Sequence, residues 1–204
     1  MTQIYQYAVA ALCIEAVIIF FYFQKRSLPT FQNIIFLIIL SVVTLSTFSE
    51  LGSTYMDDNL DSFSLNSVWV LECLYFTFNT TFGFLFAIYN FSAFDIYGKL
   101  NRKTIRIMQF SMFIPYFICL ILIWLSFALK DYVTLVFTID LASGYQRGNN
   151  LWFYILCITK AYYIILSFCV IASFHSLISK AKMQRMYFFL ITVASTALIQ
   201  FFNC

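Results

Sequence analysis

This chain of 204 residues contains six apolar runs, each about long enough to cross the core of a bilayer as a helix. About 20 apolar residues in a helix span roughly 30 Å of hydrocarbon, and a helix satisfies its own backbone groups in lipid. The runs therefore predict an all-α membrane protein, a polytopic bundle of six transmembrane helices. The predicted spans are about 4–23, 31–51, 68–94, 107–128, 151–174 and 186–202. No soluble segment or internal repeat separates them, so residues 1–204 are expected to form a single domain.

Lysine and arginine are distributed unevenly between alternate loops. The loops after spans one, three and five hold nine of them, whereas the loops after spans two and four hold two, Lys130 and Arg147. Because basic loops stay in the cytoplasm, we expect a multi-pass protein of the plasma (cytoplasmic) membrane with its N-terminus outside. Six spans return the C-terminus to the outside, so a seventh helix is expected to follow, and these six would be part of seven.

Composition and motifs exclude several functional classes. Charged residues make up 10% of the chain and the net charge is +3, which gives no reason to expect nucleic acid as a partner. The six cysteines lie in apolar runs or at the C-terminus, so they predict no disulfide framework. We find no phosphate-binding glycine loop, Ser/His/Asp grouping or metal-ligand spacing, and therefore predict no catalytic residue, cofactor or metal. The 5 Gly and 2 Pro weigh against a transporter built on broken helices.

One lysine lies near the middle of the fifth span. Lys160 at that depth costs roughly 2.5–3.5 kcal/mol and needs a carboxylate, a carbonyl or water beside it. At 1.5 Å per residue, Lys160 and Glu15 lie roughly 14–17 Å from the outer ends of their helices, with Asn79 at a similar depth. These residues are expected to approach one another. A stripe on the fifth span joins Cys157, Lys160, Tyr163 and Ser167.

Acidic and amide residues on the other spans are predicted to face this lysine. Glu72, Asn79 and Asn90 are separated by 7 and 11 residues, which places them on one face of a helix together with Gly83. Glu50 and Glu72 lie nearer the outer surface, so we predict an outward-opening pocket with an acidic rim and Lys160 at its floor. The candidate ligand-binding or buried polar residues are Lys160, Glu72, Asn79, Glu15, Glu50, Tyr163 and Arg147. For Lys160, a structural ion pair and a proton or ion path are open alternatives to a ligand pocket. For Glu50 and Glu72, solvation at the membrane interface is an equal alternative to a role at the pocket rim.

The long loop before the fifth span has a pattern of its own. From Val133 to Asp140 apolar and polar residues alternate, which predicts a short strand or hairpin lying over the membrane. Pro115, inside the fourth span, predicts a kink there.

The pattern as a whole resembles the seven-helix N-terminal sensor region of bacterial membrane-bound diguanylate cyclases (GGDEF-type) and histidine kinases. The segments that carry the resemblance are Asn33-Ile34-Ile35-Phe36-Leu37, Ser49-Glu50-Leu51-Gly52-Ser53, Phe86-Ala87-Ile88-Tyr89, Val136-Phe137-Thr138-Ile139-Asp140, Gly144-Tyr145-Gln146-Arg147-Gly148 and Gln200. The resemblance implies a sensor that passes a signal through its last helix to a cytoplasmic enzyme, as in cyclic di-GMP signalling. Here that helix and that enzyme would follow residue 204, and a homodimer would form through them.

The expected function is therefore a membrane receptor domain that detects an extracellular or membrane-embedded small ligand. The chain itself is not expected to be an enzyme, and its other predicted partner is the lipid bilayer. A small transporter or channel-like protein is the alternative, and it requires the polar stripe to reach the cytoplasmic face. A purely structural or assembly subunit is a third reading. The sequence does not identify the ligand, the oligomeric state or the output domain.

Overall fold

Five long helices and one β-hairpin make up the part of the chain that the computed structural model describes, which is residues 2–24, 30–93, 101–132, 136–140, 144–147 and 151–173 with Gln184, Tyr187 and Ile191. The helices are α1 (Thr2–Gln24), α2 (Phe31–Asp57), α3 (Leu65–Ala93), α4 (Arg102–Ala128) and α5 (Leu151–Ser173), with a 3₁₀ turn at Leu60–Ser62. The hairpin strands are β1 (Phe137–Asp140) and β2 (Gly144–Arg147).

Four of these helices, α2 to α5, are long and apolar enough to cross a membrane. The outward face of α4 carries exposed large apolar side chains at spacings of three and four residues, the pattern of a helix face in contact with lipid. They are Ile107, Phe110, Ile114, Phe117 and Ile121. The protein is therefore a membrane-embedded helical bundle.

The helices differ in length from the predicted spans. The second span continues six residues beyond 51 to Asp57, and the fourth begins at Arg102 rather than at 107. Both extensions are largely polar. A helix can continue into the membrane interface for as long as its backbone hydrogen bonds and caps allow. Helix α1 contains an apolar helical stretch at Val9–Gln24. The sixth predicted span, 186–202, lies almost wholly outside the described residues.

Helix α3 is the central element, because it packs against α2, α4 and α5, whereas α1 packs against α2. The two ends of the bundle are tied by side-chain hydrogen bonds. At one end Gln32 on α2 donates to the carbonyl of Ser92 on α3, at 3.0 Å. At the other, Lys130 after α4 donates to Asn66 on α3. We call the first the basic end, since α4 begins there with Arg102, Lys103 and Arg106, and the second the hairpin end.

Local capping explains where the helices begin. Thr30 Oγ1 accepts from the backbone N–H of Asn33 at 3.3 Å and starts α2. Asn101 Oδ1 accepts from the N–H of Thr104 at 2.8 Å and starts α4. Such caps satisfy N–H groups that have no partner within the helix and contribute about 1 kcal/mol each.

The hairpin confirms the strand predicted from the alternation in this loop. Its two strands pair antiparallel, with Phe137 opposite Arg147 and Ile139 opposite Tyr145. Phe137 and Ile139 alternate along β1 and are both buried. The backbone N–H of Val136 donates to Ser126 Oγ on α4 at 3.3 Å, which fixes the start of β1 against the bundle.

The core has two parts. The hairpin-end core joins α3, α4, the hairpin and α5 through Val68, Trp69, Cys73, Phe76, Cys119, Ile123, Val136, Phe137, Ile139, Phe153 and Leu156. The basic-end core consists of Phe84, Phe86, Ala87, Phe91, Met112, Tyr163, Val170 and Ile171. The charged residues of interest lie near the first of these cores.

Candidate ligand site at the hairpin end

Lys160 lies about 14 Å along α5, counted from Leu151 at 1.5 Å per residue. Its side chain is partly buried, and its ammonium lies 6.0 Å from the centre of the Phe76 ring on α3. The carboxylate of Glu50 on α2 interacts with it electrostatically. Lys160 therefore has the acidic neighbour that its depth demands, together with an aromatic face that attracts a cation.

Glu72 is the second carboxylate of this cluster. It is buried on α3 beside Ser53, which is buried on α2 and whose hydroxyl donates to the backbone carbonyl of Glu50 at 3.1 Å. The same carboxylate interacts electrostatically with Glu50 and Asp57. Two adjacent carboxylates in a buried position repel each other, and the nearby ammonium of Lys160 offsets that repulsion. We call Glu50, Glu72 and Lys160 the charged cluster.

An aromatic stack separates the charged cluster from the hairpin. The ring of Phe137 in β1 stacks on Trp69 with a centroid distance of 4.6 Å and on Phe76 with one of 5.4 Å. Phe76 thus contacts both Phe137 and the ammonium of Lys160. Both Phe137 and Trp69 are buried. The hairpin therefore acts as a cover whose inserted ring touches the aromatic neighbour of Lys160.

One turn further along α5, two tyrosines contact α4 near its proline. Pro115 has no N–H, so the carbonyl of Ser111 lacks its helical partner, and Tyr162 Oη donates to that carbonyl at 3.1 Å. Tyr163 Oη donates to the carbonyl of Met112 at 2.6 Å and also interacts with the backbone N–H of Tyr116. The hydroxyl of Tyr163 is thereby inserted into the hydrogen-bond ladder of α4.

Glycine allows this contact between helices. A Cβ built on Gly83 would lie 3.5 Å from Cδ2 of Tyr163, so α3 and α5 pack closely there. Gly83, which lies on the predicted polar face of this helix, thus faces α5. The polar stripe on α5 also faces the bundle, because Tyr163 and Ser167 are buried and Lys160 is partly so.

Glu15 lies elsewhere than predicted. It is buried, and its Oε1 accepts a hydrogen bond from Thr47 Oγ1 on α2 at 2.9 Å. Its other oxygen, Oε2, is buried without a hydrogen-bond partner among the described residues. Because α1 packs on α2, Glu15 meets α2 rather than the lysine on α5. The depth argument therefore predicted the wrong neighbour for Glu15.

The remaining predicted residues are less informative. Asn79 is partly buried on α3, and Asn90, on the same predicted face, is buried with no partner for its Nδ2 in the described part of the chain. Arg147 ends β2, and its side chain lies outside the described set. The structure thus brings together Glu50, Glu72 and Lys160.

Sequence reasoning missed the aromatic members of the site. Phe76 lies four residues after Glu72 and so shares its helix face, a signal that was present in the spacing. Phe137 belongs to the alternating segment, but alternation alone does not say which element a strand covers. Ser53 was quoted only as part of a motif and turns out to lie beside Glu72, with its hydroxyl donating to the backbone carbonyl of Glu50.

The arrangement has the chemistry of a binding site for a polar group. An ammonium and two carboxylates lie close to an aromatic cover, so a ligand with complementary charges has partners of both signs. Within the part of the chain that the structure describes, no cluster of three or more His, Cys, Asp or Glu side chains is arranged to hold a metal ion.

Comparisons with known proteins give no further lead. No protein-family model matches the chain, and neither curated proteins nor solved structures give a significant match.

Proposed function

We propose that this chain is the membrane-embedded sensory domain of a receptor. It binds a small extracellular or membrane-embedded ligand at the hairpin end and relays the event to a cytoplasmic signalling domain. In this proposal the bundle has six spans of seven, the N-terminus lies outside and the hairpin faces the exterior. The observation that carries the proposal is the charged cluster of Glu50, Glu72 and Lys160 beneath the Phe137 cover.

Charge supports a ligand in preference to a purely structural pair. A minimal structural pair needs one carboxylate and one amine, whereas here Glu50 interacts with Lys160, and Glu72 interacts with both Glu50 and Asp57. Retaining several charges in a membrane bundle is costly, and such residues usually mark functional paths or sites. A polar ligand would form ion pairs with these residues through its own charged groups.

Helix α5 offers a route for the relay. Lys160 and Tyr163 lie one turn apart on the same helix, and Tyr163 is hydrogen-bonded into α4. A ligand that moves Lys160 would change the position of the Tyr163 hydroxyl in the α4 ladder. Ligand binding would thereby shift the relative positions of α4 and α5, and such shifts of packed helices are a common form of signal transmission.

A ligand screen with matched lysine variants tests the binding step. The purified chain is screened by thermal shift against amino acids, dicarboxylates and polyamines, together with Lys160→Met and Lys130→Met. The second variant makes the same change at the hairpin end but outside the charged cluster, where Lys130 contacts Asn66 and Phe127. We expect a stabilising compound to act on wild type and Lys130→Met and to lose its effect on Lys160→Met.

Three results would contradict the proposal. One is a compound that stabilises all three proteins equally, since it would bind elsewhere. Another is flux of the stabilising compound across proteoliposomes containing the chain, which would favour the transporter alternative. The third is a downstream reading frame that encodes neither a seventh span nor a cyclase or kinase domain, which would remove the relay.

A further inference from the structure

A second candidate site lies at the basic end, far along α4 from the hairpin. An open groove of about 360 Å³ is lined by Phe31 at the start of α2, Ile88 on α3 and three residues of α4. Those three are Gln109, Met112 and Phe113. The hydrogen bond from Gln32 to Ser92 holds the start of α2 against the end of α3 and so fixes one wall of the groove. The lining is apolar apart from the Gln109 amide.

Two arginines extend the same face of α4 beyond the groove. Arg102, Arg106, Gln109 and Phe113 are spaced by four, three and four residues, which keeps them within roughly 60° of one another around the helix. Both arginines are exposed, and neither contacts a carboxylate among the described residues. The Asn101 cap fixes the first turn of α4, so the direction of this face is set at its start.

The order of groups along this face matches the order of groups along a phospholipid. Arg106 lies about 4–5 Å before Gln109 along the helix and about 10 Å before Phe113. A phosphate would meet the guanidinium groups, the ester region would meet the Gln109 amide, and an acyl chain would fill the apolar groove. Basic pockets between transmembrane helices are known to bind anionic headgroups, and arginine suits phosphate through its paired N–H donors.

We propose that this groove is a specific binding site for an anionic phospholipid. One acyl chain lies against Phe31, Ile88, Met112 and Phe113, and the phosphate is held by Arg102 and Arg106. The charge complementarity at Arg102 and Arg106 selects an anionic over a zwitterionic headgroup. The inference does not depend on the sensory function or on the orientation of the chain.

Lys103 provides a matched control. It is exposed and lies in the same turn as Arg102, but its helical position aligns with the outward apolar face that includes Ile107 and Phe110. Loss of its charge alters the net charge of the helix start as much as loss of Arg106 does. The comparison of Arg106→Gln with Lys103→Gln therefore separates a defined site from general attraction to an anionic surface.

Native mass spectrometry of the purified chain gives the readout. Phosphatidylglycerol and phosphatidylcholine with identical acyl chains are titrated separately, and retained lipid is measured. We expect wild type and Lys103→Gln to retain phosphatidylglycerol in preference to phosphatidylcholine, and Arg106→Gln to weaken phosphatidylglycerol binding about fivefold or more. Ile88→Trp, which fills the groove, should lower binding of the same lipid while the protein elutes as wild type on size exclusion.

The proposal is overturned by any of three results. Equal retention of the two lipids by wild type would exclude headgroup selection. Equal losses in Arg106→Gln and Lys103→Gln would show diffuse attraction in place of a site. Unchanged phosphatidylglycerol binding by correctly folded Ile88→Trp would show that the groove does not hold the chain.

Discussion

At the scale of single residues, the charged and polar side chains that are most costly to bury lie next to groups that can interact with them. Lys160 has Glu50 and the Phe76 ring as neighbours, and Glu72 lies beside Ser53. The hydroxyl of Tyr163 is buried and reaches a backbone carbonyl of α4. In a bilayer such contacts replace the water that the same groups would find in a soluble protein.

The two adjacent tyrosines give a prediction about individual hydrogen bonds. Tyr163→Phe removes the hydroxyl that donates to the buried carbonyl of Met112, and we expect a loss of about 1 kcal/mol in unfolding free energy. Tyr162→Phe makes the same change at the more exposed carbonyl of Ser111 and should cost less than half as much. Thermal unfolding in detergent measures both. Equal losses would show that burial of the Met112 contact has no effect on its strength.

At the scale of elements, helix α4 and the hairpin depend on contacts from their neighbours. Helix α4 contains a proline whose freed carbonyl is satisfied from α5, and the hairpin is seated by an aromatic ring between two others. Neither element would satisfy its groups alone. Pro115 has a defined consequence here: the proline frees an acceptor in α4, and the neighbouring helix supplies the donor.

A double-mutant cycle tests the link between Pro115 and Tyr162. In Pro115→Ala the new N–H can donate to the carbonyl of Ser111, so that carbonyl no longer depends on Tyr162. We expect Tyr162→Phe to be nearly neutral in the alanine background, so the coupling between the two positions equals its cost in wild type, less than about 0.5 kcal/mol. The measurement is the difference in unfolding midpoint across the four proteins. Strictly additive effects would contradict the link.

Phe137 tests the role of the hairpin as a cover. Phe137→Ala removes the ring stacked between Trp69 and Phe76 and should destabilise the docked hairpin by about 3 kcal/mol or more. We expect faster amide exchange at 137–140 and a red-shifted Trp69 emission. Tyr132→Ala serves as the control. Because Tyr132 is 84% exposed, this substitution removes an aromatic ring without uncovering Trp69. Unchanged exchange in Phe137→Ala would mean that other contacts seat the hairpin.

At the scale of the whole molecule, the candidate ligand site and the basic residues at the start of α4 lie at opposite ends of the bundle. The charged cluster and the hairpin occupy one end, while Arg102, Lys103 and Arg106 begin α4 at the other. Between them lies the basic-end core, in which Phe84, Met112 and Tyr163 are buried. A sensor is compatible with such a closed interior, whereas a transport path would have to open it.

The proposed orientation is tested by cysteine labelling from outside intact cells. In a background without reactive native cysteines, Tyr132→Cys marks the hairpin end and Lys103→Cys marks the basic end, and both positions are exposed. We expect a membrane-impermeant maleimide to label Tyr132→Cys in intact cells, and Lys103→Cys only after permeabilisation. The reverse pattern would place the hairpin in the cytoplasm and contradict an outward ligand site.

The sequence by itself determined that the chain is a bundle of membrane helices, that part of one loop forms a strand, and which face of α5 turns inward. These properties are local, because they follow from the length of apolar runs and from helical and strand periodicity. Only the tertiary structure decided that Lys160 interacts with Glu50, while Glu15 bonds to Thr47, and that Phe137 stacks between Trp69 and Phe76. Depth along a helix can be counted from sequence, but the choice of neighbour depends on which helices pack together and how each is rotated, and those are set by contacts between distant segments.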